Sequence, residues 1–336
     1  MLEGLNEIII TIFIFLIVLF LYLHVQFQLK TSNELEIYEI ENELTKEKME
    51  EICDLRQPIV LYITEKLSQL IPIFSKSNLL QEYSSYEIKI RNKKNIGTID
   101  DLFIPLQMSV ADELFSSDVS QNFYSENNSE FLYESGLVKN ILTNDFILKP
   151  HLSCNSTYDV LFGTENVKTP LRYEHSYRNY IITTEGLATI RLIPPKYNKY
   201  CDTETDYENL EYRSEIDVWD TQEKYKIIMK KIKYLDIELP VGKILYIPAY
   251  WLYSVKFDKN SSIIMMKYRT YMNILAVSPI LLINLLQNQN IKTNYLKKME
   301  LESMVSEKKV EDKEEKKVEE EKNIEEEKIK EIIDIQ

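Results

Sequence analysis

The sequence predicts a mainly β fold of the α+β class, with helical decoration on its N-terminal side and a transmembrane helix in front of it. Three observations lead there. Residues Ile8–Phe27 form an almost unbroken apolar run, IIITIFIFLIVLFLYLHVQF. Residues 53–272 carry many short β-rich runs punctuated by turn residues such as Pro194-Pro195 and Gly242, a pattern that reads as a β-sandwich or barrel. Beyond Glu300 the composition collapses to Glu, Lys and scattered Ile and Val, which cannot bury a core.

The elements follow in chain order. Residues 1–29 are predicted to be a membrane anchor. At a rise of ~1.5 Å per residue the apolar run spans roughly 30 Å, the hydrocarbon thickness of a bilayer. A secretory signal peptide would start with basic residues and end on small ones. This segment starts with Glu3 and Glu7 and ends His-Val-Gln-Phe-Gln, so an uncleaved anchor is the better reading. Lys30, after the run, places the main domain on the cytoplasmic side of a single-pass protein.

Residues 30–52 read as a charged helical spacer. Asn33 has Glu36 three residues on, the capping-box spacing, and Ile37, Ile40 and Leu44 share one helical face. A short coiled coil is the open alternative, although sustained heptads are missing. Residues 53–272 form the globular domain. Its expected strands are Pro58–Ile63, Glu87–Ile90, Tyr158–Phe162, Asn179–Thr184, Thr189–Ile193, Leu235–Leu239, Lys243–Ile247 and Ser261–Met266, with helices at Thr64–Leu70 and Gln222–Lys231. Residues 273–300 are expected to form a C-terminal helix. Its apolar part, Ile274–Leu286, contains Pro279 and Asn284 and is short for a span, so it is expected to pack on the barrel or on a second copy in a homodimer. Residues 301–336 form a charged tail, solvated or open to a protein partner.

Composition removes several function classes. The 40 Lys and Arg against 54 Asp and Glu leave a formal charge of −14, the wrong sign for a nucleic-acid surface. Cys53, Cys154 and Cys201 are widely spaced, without a Cys-x-x-Cys pair, which argues against a zinc knuckle and fits a reducing compartment. The 6 glycines assemble neither a dinucleotide fingerprint nor a Walker loop. Sequons at Asn127, Asn155 and Asn260 would be acceptors in a lumenal domain; chance occurrence is the preferred reading.

Two blocks carry a family resemblance. One is Asp159-Val-Leu-Phe-Gly-Thr164 followed by Thr169-Pro-Leu-Arg-Tyr-Glu174, Asn179, Gly186 and Leu192-Ile-Pro-Pro195. The other is Leu239–Val255, which reads as two strands around a tight corner. In that order they resemble the cupin-like, Jumonji-type Fe(II)/2-oxoglutarate dioxygenases, and weaker similarity extends upstream to Arg56–Val60 and Ser77–Tyr83. The resemblance implies a double-stranded β-helix, or jelly roll, over residues 53–272. It also implies a ferrous site of two histidines and one carboxylate, with open positions for 2-oxoglutarate and oxygen.

Laid on this sequence, the first histidine falls on Arg172, the acid on Glu174 and the distal histidine on Tyr253. A guanidinium has no lone pair to donate. A phenol ionises only near pH ~10. The basic residue that pairs the cosubstrate is replaced by Ala188, while Thr169 and Asn179 stand where the family has polar contacts. Tyr246 and Trp251, with Tyr250, complete a candidate pocket lining, weighed against plain core packing. The expectation is therefore a pseudoenzyme without metal or cofactor, in which Arg172 and Glu174 pair across the old metal position. It would act as a binding or scaffolding module. The competing expectation is an active protein hydroxylase with an atypical metal set drawn from Glu174, His175 and His151.

Overall fold

The computed structural model describes residues 2–41, 45–98, 100–207 and 210–289. The charged tail, the last part of the expected C-terminal helix and Leu44 lie outside them. The chain falls into two units, Met1–Pro279 and Ile280–Gln336.

Helix α1 spans Leu2–Leu29, and helix α2 spans Lys46–Cys53. The strands are β1 Tyr38–Ile40, β2 Ile59–Tyr62, β3 Glu87–Asn92, β4 Ile104–Gln107, β5 Phe123–Ser125, β6 Ser153–Gly163, β7 Arg172–Tyr173, β8 Arg178–Glu185, β9 Leu187–Ile193, β10 Thr203–Asp206, β11 Glu211–Ser214, β12 Leu235–Pro240, β13 Lys243–Pro248, β14 Leu252–Phe257 and β15 Ser262–Thr270. Among the described residues they form two sheets. The larger runs β1-β2-β13-β8-β15-β6-β5-β3-β4, the smaller β10-β11-β7-β14-β9-β12. Pairing is antiparallel throughout except between β1 and β2.

Side-chain alternation explains why the strands of the larger sheet read as continuous apolar runs. Ile181, Leu245, Ile263 and Met265 face the smaller sheet, meeting Ile190, Leu192, Val255 and Phe257. Their neighbours Tyr180, Ile182, Tyr246, Ile264 and Met266 face the other way, onto Met49, Ile52, Leu70, Phe74 and Leu79 from the N-terminal helices. The central strands β8, β13 and β15 of the larger sheet are thus buried on both faces. A third cluster, around Leu171, Ile193, Cys201, Ile216 and Leu252, lies apart from both. The three cysteines are free.

All eight expected strands form, most with longer ends. One expectation about the elements is corrected. The spacer is not one helix from Asn33: Tyr38–Ile40 pairs in parallel with Ile59–Leu61, and Asn33 accepts from the Lys196 backbone at 2.7 Å instead of capping a helix. An edge with unpaired backbone groups captured a segment whose apolar spacing also fits a helix. The helix begins at Thr45, whose hydroxyl accepts from Lys48 N. The apolar stretch after the barrel is helical, as expected: Tyr271–Gln289 is a 19-residue helix that passes for a membrane span by length and composition alone, with mean hydropathy 1.3 against 3.0 for Asn6–Leu29 and 22 % of its apolar window buried.

Candidate functional site

The site is assembled where β7 meets β14. Arg172 and Tyr253 are register partners, so the two positions expected to hold histidines do stand side by side, with the guanidinium 5.6 Å from the ring centre. Glu174 follows β7 and accepts from the Tyr253 hydroxyl at 3.2 Å. The three positions are brought together as the register implies.

Their partners were not foreseen. Arg172 does not pair with Glu174. Its Nη2 lies 2.6 Å from Glu126 Oε2 and its Nη1 2.7 Å from Glu211 Oε1. Arg91 on β3 closes the ring, donating from Nη1 to Glu126 at 2.8 Å and to Glu211 at 2.9 Å, and it grips Asp101 with Nε and Nη2. Arg213, the neighbour of Arg172 across β11, bonds Asp206 at 2.7 Å and Asp101 at 3.0 Å. Glu174 takes its cation from β15 instead: Lys267 Nζ lies 2.5 Å from its Oε1. Lys267 shares the inward face with Ile263 and Met265, so a lysine at the next inward position of a buried strand was the signal that could have found it. Glu126 and Glu211 come from distant segments and carried no local signal.

Burial alone would raise the Glu211 carboxyl, but Arg172 and Arg91 outweigh it and hold it down at about 2. Glu174 is likewise held below the usual carboxylate range, against burial, by Lys267 and then Arg172. Burial pushes the Tyr253 phenol up to about 12, with Arg172 opposing. The phenol therefore stays protonated at neutral pH and donates. The cluster is a closed set of ion pairs with the carboxylates already occupied, and among the described residues no three His, Cys, Asp or Glu side chains are placed to hold a metal ion.

The candidate pocket lining divides. Trp251 and Ala188 are fully buried between the sheets. Tyr246 is a correction: its neighbours Leu245 and Ile247 face between the sheets, so its ring points to the helical side, stacking near Tyr180 and donating to Cys53 O at 3.2 Å. Thr169 is consumed by pairing with β14, its hydroxyl accepting from Val255 N at 2.9 Å. It also borders a cleft of about 340 Å³ flanked by the Lys93–Asp217 ion pair. Asn179 donates to Ile247 O at 3.2 Å, and its Oδ1 has no partner. His175 is enclosed by Tyr173, Tyr212 and Tyr250, and His151 lies against Glu50. The structure places neither histidine with Glu174 in a metal-holding group.

Two facing sheets with a buried polar cluster fit a cupin-like domain. The chain belongs to the cupin-like family: the family model described as "Cupin-like domain" matches residues 88–274, more than half of the sequence. The match begins at β3, yet β2 upstream of it pairs with β13 in the same sheet. A search of curated proteins finds no match.

Proposed function

We propose that this is a membrane-anchored cupin-like protein whose jelly-roll domain works as a binding or scaffolding module, a pseudo-oxygenase in which ion pairs have taken over the family's iron site. The observation that carries the reading is the Glu126–Arg172–Glu211–Arg91 ring beside the Tyr253–Glu174–Lys267 contact. Ferrous iron does not fit this donor set. Glu174, the surviving carboxylate, is already shared by an ammonium and a phenol, and Arg172 and Lys267 would repel a dication. Neither iron nor 2-oxoglutarate has a part in this reading.

The anchor is supported by α1, whose apolar span Asn6–Leu29 contains an 18-residue window with no residue buried by protein and which is long enough to span a bilayer. Lys30 beyond it favours a cytoplasmic domain. With the space between the sheets filled by side chains such as Trp251 and Phe257, a protein partner would dock on outer surfaces or on the charged tail, and a second copy through the helix after the barrel. Nucleic acid is disfavoured by the net charge. The test is succinate release by the purified full chain supplied with Fe(II), 2-oxoglutarate and oxygen. Background release is the expected result; iron-dependent release would establish the rival reading, an active hydroxylase.

A further inference from the structure

The last turn of α1 meets the domain at a cleft of about 440 Å³. One wall is apolar and exposed: Leu23, Phe27 and Leu152. The other is polar: Gln28, Glu50 and His151. Gln28 is 7 % exposed although Phe27 and Leu29 on either side of it are exposed, and its Oε1 has no hydrogen-bond partner. Glu50 accepts from the His151 backbone N–H at 3.0 Å and from Arg178, and Lys46 lies 3.9 Å away. Those cations balance it without using all of its lone pairs.

The cleft sits at the end of the apolar window, the depth at which lipid headgroups lie beside a spanning helix. An apolar wall joined to an acceptor wall matches an amphiphile. A buried amide oxygen without a donor is costly until an N–H or O–H fills it, and the spare lone pairs of Glu50 in the same wall suit a headgroup with several N–H donors. We propose that this cleft binds a membrane lipid whose headgroup carries a primary ammonium, of which phosphatidylethanolamine is the simplest. Gln28 Oε1 and Glu50 accept from the ammonium, the exposed His151 imidazole faces the phosphate, and an acyl chain lies along Leu23 and Phe27. A trimethylammonium headgroup has no N–H and leaves the Gln28 oxygen unsatisfied. The inference rests on reading α1 as a membrane anchor.

The experiment is native mass spectrometry of the full chain released from detergent micelles, after addition of dioleoyl phosphatidylethanolamine or dioleoyl phosphatidylcholine at equal concentration. Ethanolamine-lipid adducts are expected to exceed choline-lipid adducts several-fold. Gln28→Leu, which leaves the Arg178–Glu50 pair intact, and Leu152→Trp, which fills the cleft, should each erase that preference. Equal adducts, or a preference that both variants retain, would overturn the proposal. Alkaline extraction of membranes carrying the chain separates the two readings. Release of the chain ends the anchor reading and this inference with it; a retained chain without lipid preference ends this inference alone.

Discussion

Arg172 shows what a buried guanidinium demands of its surroundings. A buried guanidinium needs counter-charges on more than one side, and it is served by Glu126 and Glu211, both of which also serve Arg91. Removing one partner from such a set leaves charges buried without compensation. Arg172→Met is therefore expected to lower the unfolding free energy by about 3–5 kcal/mol. The double change Arg172→Met, Glu126→Gln should recover part of the loss, and urea unfolding of the three proteins measures both. His175 gives a second prediction at this scale. Burial, with Glu174 opposing, pushes its imidazole down to about 4. A depressed value means that the unfolded chain binds the extra proton first. The stability tied to His175 is present above the unfolded value near 6.5 and is lost as pH falls towards about 4, a difference of roughly 3 kcal/mol at most. Asp159, pushed up to about 6 by burial, contributes the opposite slope in the lower part of that window. The discriminating quantity is therefore the unfolding free energy of the native chain minus that of His175→Phe, which should be flat above about pH 6.5 and fall as pH drops towards about 4, the Asp159 slope cancelling between the two.

At the scale of elements, the smaller sheet owes its site to register. Arg172 and Tyr253 meet because β14 lies between β7 and β9, and that juxtaposition was legible in the two sequence blocks. What surrounds it was not. Glu126 follows β5, Glu211 opens β11 and Lys267 sits on β15, three segments whose convergence depends on the strand order. Tyr246 could have been placed correctly from alternation alone, since Leu245 and Ile247 occupy the inter-sheet face. The segment Tyr38–Ile40 was misread because its apolar residues fit a helix as well as an edge strand, and only pairing with β2 decides. Gly186, in the turn joining β8 and β9, has φ +71, and a Cβ there would lie 3.0 Å from Lys259 O and from Ser261 Cα. Both objections are to backbone that cannot swing away, so Gly186→Ala should cost about 1–3 kcal/mol. A thermal midpoint equal to that of the parent would show that this turn relaxes freely.

For the whole molecule, the parts argue in one direction. An exposed apolar helix precedes a domain of the cupin-like family, in which the central strands of the larger sheet are covered on one face by helices and on the other by the smaller sheet. On the proposed reading, Arg172 and Lys267 take the place of a metal at the Arg172, Glu174 and Tyr253 positions, and the domain serves recognition by its surfaces, with a cross-linked charge cluster adding stability. The direct measurement is anaerobic titration of the full chain with Fe(II) in the presence of 2-oxoglutarate, followed by desalting and metal analysis. No iron should be retained above a protein-free control. Stoichiometric iron that is lost on Glu174→Ala would contradict the pseudo-oxygenase reading.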